Sequence, residues 1–214
     1  MSQPLPADFW NQRYAEDEPA YGDEPNAFLA EQIDQLSQPS ARDKPGRVLC
    51  LAEGQGRNAL FLARLGWEVT AVDFSAVGMR AAARVAERED LPLQTVVADL
   101  AEYDLGVGQW DLVVSIFGHV PPEARKKTHA RIEPALRPGG RFVLEAYTPS
   151  QTARDTGGPG PGAEALCMTA AGLREELVGL SLEHLEETQR IIHEGRYHTG
   201  LADVVQVVAV RPDK

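Results

Sequence analysis

Cysteine is scarce in this chain of 214 residues: Cys50 and Cys167 are the only two. Neither stands in a C-x-x-C pair, which argues against a disulfide framework and a zinc knuckle. No resident metal is expected. No apolar run approaches the roughly 20 residues of a membrane-spanning helix. The opening "MSQPLPADFWNQRY" lacks the apolar stretch of a signal peptide, so a cytoplasmic protein with no membrane partner is expected. Positive charge is also short, with 21 Lys and Arg against 32 Asp and Glu and a formal net charge of −11. Such a surface repels phosphate backbones, which disfavours nucleic acid and favours a small-molecule partner. No repeat of fixed period occurs. What remains is ordinary globular composition, 43% hydrophobic and 25% charged, at a length that suits one domain.

Periodicity then gives the order of elements. The first residues, with Pro4, Pro6 and Pro19, read as irregular, and "PNAFLAEQIDQL" as a helix with Pro25 near its start. "SQPSARDKPG" is a loop. "RVLCLA" is a strand buried on both faces, Arg57–Leu65 a helix stopping near Gly66, and "WEVTAVD" a second strand. "SAVGMRAAARVAERED" is a helix capped by Ser75. "LQTVVADL" and "WDLVVSIF" are strands, and "PPEARKKTHARIEPAL" is a helix started by prolines. "RPGG" reads as a turn into the strand "RFVLEAYT". The Gly- and Pro-rich "PSQTARDTGGPGPGAEA" is a loop or gate, followed by the helix "TAAGLREELVGL". "EETQRIIHE" and "ADVVQVVAV" form a terminal antiparallel hairpin joined by "GRYHTGL". The expected fold is α/β, a three-layer sandwich on a seven-stranded, mostly parallel sheet with an antiparallel C-terminal hairpin.

Gly54 and Gly56 fall between the first strand and the first core helix, in a fair match to G-x-G-x-x-A. Ligands of open α/β sheets bind there, beyond the carboxyl ends of the strands. A residue without a side chain allows a tight turn and close approach to a ligand. Asp73 ends the second strand, where a carboxylate can accept both hydrogen bonds of a ribose diol. Together these features point to a nucleotide cofactor. Asp99, at the end of the third strand, can take a hydrogen bond from an adenine amino group. It and the terminal hairpin favour S-adenosylmethionine over a nicotinamide dinucleotide, and no separate catalytic domain fits after residue 150.

The segments "LAEGQGRNALFLARLGWEVTAVDFS", "VVADL", "WDLVVS" and "LRPGGRFVLEAYTP" resemble the class I S-adenosylmethionine-dependent methyltransferases. Within them the chain is most similar to the tellurite-resistance and thiopurine methyltransferase-like group. The resemblance covers residues 46 to 148, with a weaker likeness in "FWNQRYAEDEPAYGDEPNAFL". It implies a Rossmann-like methyltransferase fold in a single domain. Residues 1–45 would form an N-terminal lid and helix, 46–147 the cofactor-binding core, and 148–214 the substrate-side loop, helix and hairpin. It places Gly54 and Gly56 under the methionine part of S-adenosyl-L-methionine, Asp73 on the ribose hydroxyls and Phe74 against the adenine. Asp99 and the backbone of Leu100 would read the adenine edge, and Ser115 and Ile116 would lie beside the sulfonium. Tyr14 and Tyr21 would belong to the closing lid. The chain departs from the family at Cys50, where an acid is usual, and at Ala52, where glycine is usual. Glu53 then stands either as a substitute partner for the cofactor's ammonium or as a solvated loop acid.

Methyl transfer is an in-line displacement that depends on alignment and dryness, so no catalytic side chain is required. His119 is the candidate base or orienting group if the acceptor is a neutral amine or alcohol, against the plainer reading of a loop histidine capping the next helix. Arg196 and His198, at the hairpin turn, are candidate acceptor contacts, and an anionic acceptor would suit Arg196. His129 and His184 read as solvated, and Cys167 as packing. The leading expectation is methyl transfer to a small acceptor: a thiol, a chalcogen oxyanion or a small metabolite. Its rivals are a nicotinamide-dependent oxidoreductase and a catalytically silent cofactor-binding module. Oligomeric state is not encoded in any motif.

Overall fold

The structure is a computed structural model that describes residues 7–16, 18–36 and 46–213. Pro4, Pro6 and nearly all of the "SQPSARDKPG" segment lie outside these residues. Seven strands, β1 (Arg47–Leu51), β2 (Glu68–Asp73), β3 (Leu93–Val97), β4 (Trp110–Ile116), β5 (Leu136–Tyr147), β6 (Ser181–Glu194) and β7 (His198–Val210), form one sheet. Their order is β3-β2-β1-β4-β5-β7-β6. β1 to β5 pair in parallel, while β7 runs antiparallel to both β5 and β6. The expected mixed sheet with its terminal hairpin is therefore the observed one.

Alternation along the strands builds the layers. Val48 and Cys50 of β1 face one core with Leu112 and Val114 of β4. That core is covered by α2 (Ala27–Leu36), α3 (Arg57–Arg64) and α4 (Ala76–Glu89) through Leu29, Ile33, Leu62 and Met79. Leu49 and Leu51 face the other side. There α6 (Ile132–Ala135) and α7 (Ala170–Glu176), with flanking residues, bring Ile132, Leu173 and Leu177. Both cysteines are buried and free. Among the described residues no helix is long and apolar enough to cross a membrane.

Four sequence expectations are corrected. The segment beginning at Ala7 is helical: α1 (Ala7–Tyr14) packs on α4. The helix expected over residues 121–136 breaks into α5 (Pro122–His129) and α6. Pro134 has no N–H to return to the Ala130 carbonyl, and the Arg131 guanidinium bonds the carbonyls of Lys127 and Tyr103 at the break. "RPGG" is a bulge inside β5 rather than a turn before it. Trp110 pairs with Leu136 and Leu112 with Arg141, leaving the intervening residues unmatched. The hairpin strands are longer than their apolar runs, and their connection shrinks to residues 195–197. β6 is an edge strand, so its first half carries a largely exposed, polar pattern that hides it in the sequence.

β1 and β4 are central neighbours whose connections leave toward opposite edges of the sheet. The crevice beyond their carboxyl ends is the switch point at which open α/β sheets bind ligands.

Candidate active site

A cavity of about 990 Å³ occupies that crevice, at the upper end of the range for ligand pockets and large enough for two small molecules side by side. α1, the residues after β4, the 157–163 loop and the hairpin turn wall it in.

Its first end is built largely from backbone. Gly54 has φ 59° and Gly56 φ 89°, a region costly for residues with a side chain. A Cβ on Gly54 would stand 2.6 Å from the Tyr14 hydroxyl, and one on Gly56 would stand 2.5 Å from Cβ of Ala82. Gly54 thus admits close approach to the cavity, while Gly56 lets α3 pack on α4 and does not itself line the cavity. Asp73 is only 4% exposed. Its Oδ2 accepts the Gly54 N–H at 2.9 Å and its Oδ1 the Ser75 N–H at 2.7 Å. Burial raises its pKa, with those backbone donors opposing. A carboxylate has about four acceptor sites, so capacity for hydroxyl donors remains. Asp99 is exposed at the rim, with Oδ1 accepting the Ala101 N–H at 2.8 Å, and Leu100 lies buried beside it. Phe74, on the cavity wall, is 40% exposed.

Glu53 is neither solvated nor idle. Gly56 offers no side-chain cap to α3, and Glu53 Oε1 accepts the Ala59 N–H at 2.7 Å in its place. Burial pushes its carboxyl up to about 7, against backbone donors and Arg57. Two positions nearby are backbone-strained: Ala52, with φ 52°, and Phe117, with φ 51°, both line the cavity.

α1 lies against this end. Asn11 Oδ1 accepts the Ser75 hydroxyl at 2.7 Å, and Gln55 Oε1 accepts the Ala20 N–H at 2.8 Å. Trp10 stacks on Tyr14 at 5.8 Å, and Tyr14 meets Tyr21 edge-on at 6.3 Å. Arg13 donates to the Tyr21 hydroxyl at 3.1 Å and lies over the Tyr197 ring at 4.0 Å.

The other end is built from side chains. Phe117 and Tyr147 stack at 4.6 Å, and His198 stands 4.3 Å from Tyr21, 4.5 Å from Phe117 and 5.4 Å from Tyr147, ring centre to ring centre. Behind them lies a buried, charge-balanced network. Glu145, fully buried, accepts from Asn26 at 2.6 Å, from Arg190 at 2.7 and 2.5 Å and from Gln206 at 2.7 Å. Glu194 accepts from Asn26 at 3.0 Å, Arg57 at 2.6 Å and Arg190 at 2.7 Å. Burial opposes the Glu194 charge, yet Arg57 and Arg190 hold its pKa below the ordinary value. Asn26 also caps α2, accepting the Leu29 N–H at 3.0 Å.

The cavity wall contains Tyr14, Tyr21, Glu53, Gly54, Asp73, Phe74, Asp99, Leu100, Ile116, His119, Arg196 and His198. Ser115, like Gly56, is outside it. The His119 ring stands with both nitrogens engaged: Nδ1 lies 3.0 Å from the Leu166 carbonyl, and Nε2 accepts the Tyr147 N–H at 3.3 Å. Burial pushes its pKa down to about 4. Arg196 donates to Glu16 and, at 2.8 Å, to the Tyr197 hydroxyl, so it is already paired across the rim. His129 is buried rather than solvated, its Nδ1 2.7 Å from Glu176, which also receives Arg125 at 2.9 Å. Burial would raise the Glu176 carboxyl, but His129 and Arg125 outweigh it and hold it near 2. His184 is half-buried, 5.7 Å from the Phe28 ring. Sequence reasoning missed Arg57, Phe117 and Tyr147. Arg57 alone carried a signal, a cation in the first turn of α3, where positive charge is disfavoured.

Residues 48–140 match a methyltransferase domain family. Two curated relatives align with about half of this chain. One is Hemagglutinin 1 of Eikenella corrodens, 36% identical over 47% of this chain and 34% of its own length. The other is a demethylmenaquinone methyltransferase of Thermus thermophilus, 33% identical over 49% of each. The chain thus spans about half or less of the curated relatives it matches. In structure it is similar to TehB from Haemophilus influenzae, with TM-score 0.70 at 19% identity, covering 97% of this chain and 67% of that one. That likeness concerns the fold. The matched segment supplies β1 to β4 and most of the cavity's first end, and it is this part of the chain that is similar to a methyltransferase domain.

Proposed function

We propose that this protein transfers a methyl group from S-adenosylmethionine to a small-molecule acceptor, whether thiol, chalcogen oxyanion or small metabolite. The observation that carries this reading is Asp73, buried at the switch point, oriented by the Gly54 and Ser75 N–H groups and facing a cavity that Tyr14 closes. The residues fit the cofactor. Asp73 would hold its ribose, Phe74 and the Asp99–Leu100 corner its adenine, and the backbone at Gly54 its methionine part. When bound, it supplies a methyl carbon whose bond to sulfur breaks as the acceptor's lone pair bonds to it, the electron pair staying on sulfur and the acceptor's proton going to solvent.

The remaining work of the chain is alignment and exclusion of water. Tyr14, Trp10 and Tyr21 shield the first end. His119, with both nitrogens engaged and its charge suppressed, serves this reading as a positioning group for Tyr147 and Leu166, so an acidic or already ionised nucleophile is favoured. Glu53, next to Gly54, is the carboxylate available to the cofactor's ammonium. The protein is read as cytoplasmic, with neither nucleic acid nor membrane as partner, which the net charge of −11 supports.

Calorimetric titration with S-adenosylhomocysteine beside NADH tests the reading. Micromolar binding of S-adenosylhomocysteine alone is expected, and binding of NADH alone would replace this proposal with an oxidoreductase. Absence of turnover across an acceptor screen, with cofactor binding intact, would leave a silent binding module.

A further inference from the structure

Buried polar atoms without a partner are rare in folded proteins. Among the described residues, Nη1 of Arg57 and Nδ1 of His198 are two such atoms, and both side chains line the cavity. Arg57 is 9% exposed and His198 8%. The Arg57 guanidinium is held by its other terminal nitrogen, Nη2, on Glu194. The His198 ring is held by Tyr21, Phe117 and Tyr147. Burial, then Arg57, with His119, Arg13 and Arg190 behind it, keeps His198 uncharged. A neutral imidazole can present an N–H at Nδ1. Two buried nitrogens of the cavity wall are thereby left without a protein partner, beside an ion-pair network that is already balanced.

We propose that Arg57 and His198 form a subsite for the carboxylate of an organic acid, and that this acid is the methyl acceptor. The proposal rests on the methyl-transfer reading above. Each nitrogen can donate to a carboxylate oxygen, and a guanidinium is well shaped to receive one. The walls around His198 are the rings of Tyr21, Phe117 and Tyr147, which suit an apolar body. A bare inorganic oxyanion would lose its hydration against those rings with too few donors in return. The placement separates this subsite from the nucleoside end. Arg57 reaches to Glu194 at the base of the hairpin turn and acts on Tyr21 and His198 as well as on Glu53, whereas Asp73 and Asp99 lie at the ends of β2 and β3.

Calorimetric titration of the protein saturated with S-adenosylhomocysteine tests this, using sodium benzoate, neutral benzamide and inorganic phosphate as probes. Benzoate is expected to bind at least tenfold tighter than either of the others. Arg57→Met should weaken benzoate at least tenfold and leave S-adenosylhomocysteine within twofold. Equal binding of benzoate and benzamide, tighter binding of phosphate, or no benzoate binding overturns the proposal, and these need only the unmodified protein should the variant fail to fold. A tenfold loss of S-adenosylhomocysteine affinity in Arg57→Met also overturns it, by giving the guanidinium to the cofactor's own carboxylate. Failure of the unmodified protein to bind S-adenosylhomocysteine at all is a separate result, which removes the methyl-transfer reading before any acid is added.

Discussion

The two ends of the cavity are made in different ways. At the first end, Glu53, Gly54 and Asp73 come from neighbouring segments of chain, and most of their hydrogen bonds go to backbone N–H groups. At the second, Asn26, Arg57, Glu145, Arg190, Glu194 and Gln206 come from widely separated segments, and their bonds run from side chain to side chain. Backbone donors survive most substitutions, while a side-chain network loses a partner with every change. The first end therefore tolerates variation around its two acids, and the second changes as a unit.

The largest test of that contrast is Glu145→Gln. A glutamine turns one acceptor oxygen into a donor facing Asn26 and Arg190, and leaves Arg190 with Glu194 alone. Breaking a buried ion pair in this way costs about 3–5 kcal/mol. Urea denaturation should show that loss, while S-adenosylhomocysteine affinity of the folded fraction stays unchanged. A fall in cofactor affinity of comparable size would erase the distinction between the ends. Asp73→Ala makes the converse cut. It should weaken S-adenosylhomocysteine by about 1–3 kcal/mol, the range for losing a charged hydrogen-bonding group, and an unchanged calorimetric affinity would remove Asp73 from the ribose.

Glu53→Gln tests whether the cap at the first end carries a charge penalty. The carboxyl titrates near 7 when folded and near 4.5 when unfolded. A raised pKa means the folded state binds the proton more tightly, so the stability associated with protonated Glu53 is complete below about 4.5 and is lost as pH rises toward 7. Glutamine keeps an acceptor for the Ala59 N–H without that loss. The variant should match the parent near pH 4.5 and exceed it by about 1–3 kcal/mol at pH 8, read from denaturation midpoints. Equal stability at both pH values would contradict the assigned burial of the charge. The smallest effect expected is that of Ala52→Gly. Relief of the left-handed backbone is worth about 1–2 kcal/mol and the added chain entropy takes back about 0.5–1. A net gain of up to about 1.5 kcal/mol in stability follows, and a loss would show that the alanine methyl packs to advantage.

Legibility in the sequence follows the same division. Local signals were enough for the strand–glycine–helix run, the Ser75 cap and Asp73 at a strand end, because each is decided within a few residues. Pro121 and Pro122 mark the start of α5 in the sequence, while the split from α6 rests on the single Pro134 farther along. Arg57 was passed over inside the motif that contains it, since its partner Glu194 is 137 residues away. Phe117 and Tyr147 lie at the ends of the expected strands "WDLVVSIF" and "RFVLEAYT", and their closeness to His198 comes from the pairing of β5 with β7. Arg196, the cation that stood out at the hairpin, is paired with Glu16 instead.

The Gly- and Pro-rich loop is fastened on both sides. Gln151 donates to the Gly157 carbonyl at 2.7 Å, Arg154 pairs with Asp203, and the Gly157 N–H reaches Thr199. Beyond it, His119 meets the Leu166 carbonyl and Arg125 donates to that of Cys167. Only a short span around Gly158–Gly162 is left between these moorings. With about 3.3–3.6 Å per extended residue, the middle of such a span swings by no more than about 10 Å. It works as a hinged rim rather than a door, and the bulk of molecule that can be admitted is set by the fixed aromatic walls beneath it.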